Sequence, residues 1–248
     1  MQMNEIRQLT GKVALVFGGS RGIGAAAARR LANEGADVAV TYVSAPERAA
    51  ETVAAIESTG RAGLAIEADS ADPAAIAAAV AQTVERFGRL DIAVVNAGIL
   101  LRGDVATVSV EDLDRMLNVN VRGVFLAIQA AAARLTEGGR IITIGSNTAV
   151  RSGHPGSSVY SMTKAAVAVM VKGIAVDLAD RGITVNNIQP GPTVTDMTVE
   201  HIERITPLIP LKRAADPDEI GGLVAYLASK ESGYMTGSSI TIDGGMAL

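Results

Sequence analysis

The chain contains no cysteine, no tryptophan and only two histidines, His154 and His201. Without cysteine there are no disulfides and no thiolate metal sites, and a reducing compartment is the natural setting. Two histidines do not make a histidine-rich metal site, so no metal is expected. The opening stretch "MQMNEIRQLTGK" lacks the apolar segment of a signal peptide. No apolar run reaches the ~20 residues that a membrane span needs. Basic excess is missing too: the formal net charge is −4, whereas a nucleic-acid surface calls for a basic stripe. These absences predict a soluble, cytoplasmic protein that binds neither nucleic acid nor membrane.

What is present is alternation. Of the 248 residues, 48% are apolar, enough for one α/β domain with a large core. Short β-branched runs, "KVALVF" (12–17), "DVAVTY" (37–42), "AGLAIEA" (62–68), "DIAVVNA" (91–97), "RIITIG" (140–145), "ITVNNIQ" (183–189) and "SITID" (239–243), are separated by alanine-rich stretches. The runs are apolar throughout, as for strands covered on both faces of a parallel sheet. "DPAAIAAAVAQTVERFG" places aspartate, proline and glycine where a helix is capped, begun and ended. Strand, helix, strand, repeated, predicts a single doubly wound α/β domain over 1–248 with a mainly parallel, seven-stranded sheet of Rossmann type.

In such a sheet, ligands bind beyond the carboxyl ends of the strands. After the first run comes "GGSRGIG". Gly18, Gly22 and Gly24, with Ser20, Arg21 and Ile23 between them, let the backbone turn sharply and a phosphate approach a helix N-terminus. A tight turn with nothing bound is the competing reading. At the end of the second run, the position that carries an acid in NAD-binding folds holds Tyr42. Ser44 is close by, and Arg21 offers a guanidinium fork suited to a 2′-phosphate. NADPH/NADP+ is therefore the expected cofactor. Arg48 reads as a solvated residue at a helix start. Asp69 and Ser70 follow the third run, facing an adenine edge or capping the next helix. Asn96, Ala97 and Gly98 ("NAG") end the fourth, small enough for a flat ligand to lie against the backbone.

"YSMTK" puts Tyr160 and Lys164 one helical turn apart. By itself such a pair is an exposed i,i+4 contact worth only a few tenths of a kcal/mol. Yet "GGSRGIG", "NAG", the serine of "IGS", "YSMTK" and "PGPTVT" occur in one order along nearly the whole chain. In that order they resemble the classical short-chain dehydrogenase/reductase family, in its 3-oxoacyl-reductase-like and carbonyl reductase branch.

The resemblance implies a catalytic set of Asn120, Ser146, Tyr160 and Lys164. Tyr160 would be general acid in reduction and base in oxidation. Lys164 would bring the phenol toward neutrality and hold the nicotinamide ribose. Ser146 would donate to the substrate carbonyl, and Asn120 would support a water-linked proton path. Pro190, Gly191, Thr193 and Thr195 would lie against the nicotinamide, followed by a partly helical substrate lid at about 194–213. His201 in that lid reads as solvated; His154, before Tyr160, reads as a loop residue, with a place at the substrate entrance as the alternative.

The function so implied is reduction of a ketone, a 3-oxoacyl thioester or a small hydrophobic ketone, to a secondary alcohol. A secondary-alcohol dehydrogenase is the runner-up. "DSAD", "VVNAGI", "GGRIITIGS" and "QPGP" also resemble a branch linked to cyclic-di-GMP binding and biofilm dispersal, so a nucleotide-sensing protein on the same scaffold is a third reading. The apolar helices "VNVRGVFLAIQAAAARL" and "AVAVMVKGIAVDLA" suggest subunit contacts, and with the family's C-terminal strand region they predict a homotetramer with dihedral symmetry. Three departures stand out: Phe17 before the glycine turn, "VNAG" in place of a double asparagine, and an extra residue between Ser146 and Tyr160. The first two should affect strand packing, the third the substrate mouth.

Overall fold

The structure, a computed structural model, describes residues 7–153 and 155–248. Its centre is a seven-stranded sheet formed by β1 (Val13–Phe17), β2 (Asp37–Tyr42), β3 (Gly63–Glu67), β4 (Ile92–Val95), β5 (Arg140–Ile144), β6 (Thr184–Pro190) and β7 (Ser239–Ile242). The strand order is β3-β2-β1-β4-β5-β6-β7, and every pair is parallel. All seven expected strands form. The order reverses between β1 and β4, so the crevice at their carboxyl ends is the topological switch point where such sheets take ligands.

The pleat explains the uniformly apolar strands. Leu15 and Phe17 point into one core with Ile76, Ile128 and Val171. Ala14 and Val16 point into the other with Leu31, Ile188 and Val224. Successive side chains alternate faces, and helices cover both. α1 (Gly22–Asn33), α2 (Pro46–Glu57) and α8 (Pro217–Ala228) are associated with the second core, α1 packing on α8. α3 (Pro73–Phe87), α5 (Val124–Ala132) and α6 (Ser158–Asp177) cover the first. Phe17 is a core side chain, so its departure from the family pattern is absorbed in packing. α3 is capped as its sequence predicts: the Asp72 side chain accepts from the Ala74 N–H, Pro73 opens the helix, and Gly88 ends it with φ 80°.

Two features differ from expectation. α6 is 20 residues long and holds an 18-residue window of mean hydropathy 1.4, and so meets the length and composition of a membrane span. Here it packs along β6, and its buried face includes Ser161, Thr163 and Lys164. Second, α4 (Val110–Leu117) does not run smoothly into α5. A π-helical turn at Asn118–Gly123 separates them, a widening often found where a helix serves a site. The segment expected as a lid is partly helical: α7 (Ile202–Ile205) is followed by a 3-10 turn at Thr206–Leu208.

Candidate active site

The strand ends converge on one cavity of about 440 Å³. Ser146, just beyond β5, and Tyr160 and Lys164, on α6, line it together with Gly98, Gly191 and Thr193. Of the other residues singled out from the sequence, Ile23, Asn96, Pro190 and Thr195 also reach this space. Arg102 and Arg151, like Lys164, bring positive charge to the lining; among the described residues no aspartate or glutamate lines it.

Ser146 starts the 3-10 turn Asn147–Ala149 and caps it, its Oγ accepting from the Thr148 N–H at 3.2 Å. Thr148 Oγ1 also donates to Ser146 Oγ at 2.9 Å. With its acceptor side used twice, the serine has its own proton left to give. It stands beside the Tyr160 phenol in the cavity lining and pulls the phenol's pKa downward. Burial is the stronger effect and pushes the phenol up to about 12, although part of the ring faces the cleft.

Lys164 makes no direct hydrogen bond to this phenol. Its Nζ lies 5.6 Å from the centre of the Tyr160 ring, while it donates to the Ile144 carbonyl at 2.9 Å. Burial pushes the ammonium down to about 8. Each group is thus shifted toward its neutral form by loss of water, and the tyrosine holds its proton across the neutral range.

Asn120 is completely buried in the π-turn. Its Oδ1 accepts from the Ile99 N–H at 2.9 Å, and its Nδ2 donates to the Ile99 carbonyl at 2.8 Å and to Thr163 Oγ1 at 3.2 Å. Thr163 in turn donates to the Tyr160 carbonyl at 2.7 Å. Asn120 therefore ties the loop after β4 to the helix that carries Tyr160 and Lys164. A Cβ on Gly98 would stand 3.3 Å from Asn120 Oδ1 and 3.4 Å from Lys164 Nζ, so a bare backbone is what brings the three together.

At the other end of the crevice, Gly24 has no room for a side chain: a Cβ would lie 2.1 Å from the Gly18 carbonyl oxygen. Asn96 Nδ2 donates to that same oxygen at 2.7 Å, joining "NAG" to the glycine turn. Thr41, not anticipated from sequence, accepts from the Gly18 N–H at 2.9 Å. No side chain caps the start of α1, leaving its first N–H groups for an anion. Bare backbone beside Lys164 and an uncapped helix start, of which Ile23 reaches the cavity while Gly18, Arg21, Gly22 and Gly24 do not line it, fit a dinucleotide.

Arg21 and Arg48 meet on Asp196, in the segment expected as a lid: Arg21 Nη1 is 3.6 Å from its carboxylate, and Arg48 Nη1 bonds it directly. Arg48 is thus not simply a solvated residue. Gly22 approaches Thr195, whose Cγ2 would be 3.2 Å from an added Cβ. Tyr42 and Ser44 lie at the end of β2, and Asp69 and Ser70 just past β3, all outside the cavity. Asp69 accepts from the Ala71 N–H at 2.8 Å, a local turn contact; the cap of the next helix is Asp72, not Asp69 as the competing reading had it. Ser20, Ala97 and Asn120 are not lining residues of the cavity either; Ala97 is bonded through its N–H to the Phe17 carbonyl. His201 is the residue before α7, and His154 lies outside the described residues. Among the described residues no group of three acidic or histidine side chains is arranged to hold a metal.

A family model described as enoyl-(acyl carrier protein) reductase matches residues 18–247. Versicolorin reductase 1 of Aspergillus parasiticus is 40% identical over 259 residues, covering 98% of this chain and 99% of its own. The cyclic-di-GMP-binding biofilm dispersal mediator protein of Escherichia coli is 40% identical over 238 residues, covering 95% and 97%. Among solved structures, a short chain dehydrogenase from Burkholderia cenocepacia in complex with NADP is 48% identical and superposes with a TM-score of 0.94, covering 97% of this chain and all of its own.

Proposed function

The chain belongs to the classical short-chain dehydrogenase/reductase family and is an NADP-dependent oxidoreductase; within that class we propose that it reduces a ketone to a secondary alcohol. The observation that carries this reading is the Thr148–Ser146 hydroxyl bond beside the Tyr160 phenol, in the wall of a cavity that Leu100, Met197, Ile205 and Leu208 also line. An apolar lining beside polar reacting groups suits a small hydrophobic ketone or a 3-oxoacyl thioester.

NADPH, when bound, supplies the hydride that adds to the carbonyl carbon. Ser146 donates a hydrogen bond to the carbonyl oxygen. Tyr160, kept protonated by its burial, gives its proton to the oxygen as negative charge develops there. Lys164 stands where its ammonium steadies the phenolate left behind, and Asn120 holds the helix and the "NAG" loop in register. When the cofactor is bound, the uncapped α1 N-terminus would hold its diphosphate, and Arg21 with Arg48 would pair with the 2′-phosphate.

The test is NADPH oxidation by wild type and Tyr160→Phe across ketones and 3-oxoacyl thioesters. Turnover that falls by a factor of ~100 or more in the variant supports the reading; turnover unaffected by the loss of the hydroxyl ends it. Assembly into a cytoplasmic homotetramer is part of the same proposal. The outward Val169 and Val176 on α6, 67% and 76% exposed, support it as surfaces for a second copy. A monomeric mass by sedimentation would refute the assembly.

The resemblance to the cyclic-di-GMP-binding protein supports a second reading, nucleotide sensing on this scaffold. A pure binder has no use for a serine hydroxyl and a protonated tyrosine lining one cavity. Titration with cyclic-di-GMP, with and without NADPH, separates the two; no saturable binding at micromolar ligand ends this alternative.

A further inference from the structure

Asn147 follows Ser146 in the chain, lines the same cavity and is only 8% exposed. Its Nδ2 donates to Asp243 Oδ2 at 3.2 Å. Asp243 is itself fixed, accepting from the Gly245 N–H at 2.9 Å and the Ala247 N–H at 2.8 Å. A carboxylate only accepts, so it sets which way the amide points: nitrogen toward Asp243, oxygen away. Among the described residues nothing donates to that Oδ1. Yet it is not a sealed, unsatisfied atom, since the only such side-chain atom among the described residues is Thr184 Oγ1. The open space that Asn147 borders is the cavity.

We propose that Asn147 is a specificity-determining residue whose Oδ1 accepts a hydrogen bond from a hydroxyl on the carbon next to the substrate's carbonyl, so that the preferred substrates are hydroxyketones. The inference rests on the reductase reading above. Ser146 and Asn147 have Cα atoms one peptide unit, about 3.8 Å, apart. Both residues line the same cavity, so a substrate whose ketone oxygen reaches Ser146 has the carbons next to its carbonyl in the space that Asn147 borders. The Asp243 anchor makes the acceptor a preformed one, and a ligand without a donor leaves it dry and unpaired.

The experiment compares near-isosteric pairs: hydroxyacetone against butanone, and α-hydroxyacetophenone against propiophenone. In wild type, kcat/KM should favour the hydroxyketone by roughly tenfold or more. Asn147→Leu and Asn147→Ala should both bring that ratio to about one, while NADPH affinity, followed by nucleotide fluorescence, is unchanged. A wild-type ratio near one, or a ratio that survives in both variants, overturns the proposal. So does a loss of NADPH affinity with an unaltered ratio, which would assign the acceptor to the cofactor. If neither member of a pair is reduced, the reductase reading is what fails. Calorimetric binding of the same pairs to the protein–NADP+ complex then decides the acceptor, with equal binding overturning it.

Discussion

Lys164 and Tyr160 share a helix face without sharing a hydrogen bond: the ammonium sits 5.6 Å from the ring centre and spends a proton on the Ile144 carbonyl. The lysine is therefore a buried cation held by a backbone dipole, with the aromatic ring beside it. Its stabilisation of a phenolate becomes valuable only when the tyrosine gives up its proton.

That placement makes the protein's stability depend on alkaline pH in a defined way. The folded-state value of Lys164, about 8, lies below the 10.5 of an ordinary lysine. Between these values the unfolded chain carries more protons than the native one, so the contribution of Lys164 to stability rises with pH through that window. Tyr160 acts oppositely. Its value is raised from 10.0 to about 12, so its stabilising contribution is present below the lower value and lost as pH climbs to the upper. Lys164→Met should remove a rise on the order of 2 kcal/mol, seen as urea midpoints measured from pH 7.5 to 9.5 that no longer climb relative to wild type. The same variant should lose activity by a factor of ~100 or more. A wild-type slope retained in the variant would assign the pH dependence elsewhere.

Thr148 is expected to tune Ser146 without touching the reacting carbon. Its hydroxyl donates to Ser146 Oγ at 2.9 Å, which leaves the serine proton directed outward and makes it a better donor through hydrogen-bond cooperativity. Thr148→Val keeps the shape and removes the donor; kcat for ketone reduction should fall roughly tenfold, while Thr148→Ser should keep most of it. A purely structural role would move the thermal midpoint in both variants and leave the kcat difference between them small, so both quantities are to be measured together.

Much of this arrangement is legible in the sequence because it is local. Strands buried on both faces announce themselves as unbroken apolar runs, and the signals of α3, from Asp72 and Pro73 to Gly88, lie within one segment. The glycine turn and the Tyr160–Lys164 spacing are likewise contiguous. What is not legible is made by pairing across distance. Asn147 and Asp243 are 96 residues apart, and Arg48 and Asp196 are 148 apart; neither pair carries a compositional mark. The π-turn at Asn118–Gly123 is silent for another reason: a shift of hydrogen-bond register costs no change in residue type. The pKa of Tyr160 escapes a sequence reading because burial, not the neighbouring lysine, sets its direction. Asn147 itself offered a signal, a polar residue directly after the strand-end serine, although its orientation needed Asp243.

The ion-pair cluster on Asp196 gives the sharpest prediction about cofactor choice. Arg21 and Arg48 come from the starts of α1 and α2, and the lid carboxylate that joins them is half exposed. Exposed pairs of this kind are worth little, about 0–1 kcal/mol, so a dianionic 2′-phosphate with its extra acceptor oxygens should displace the carboxylate readily. Arg48→Ala should then cut the preference for NADPH over NADH roughly tenfold, with NADH affinity barely altered. Asp196→Asn, which frees both guanidiniums, should tighten NADPH binding and steepen its salt dependence. Dissociation constants for the two nucleotides, taken from fluorescence titrations at low and high salt, provide the check. Were Arg48→Ala to weaken both nucleotides equally, Arg48 would be holding the lid rather than reading the phosphate, and were Asp196→Asn to weaken NADPH, the carboxylate would be a clasp over the bound cofactor instead of a competitor for its site.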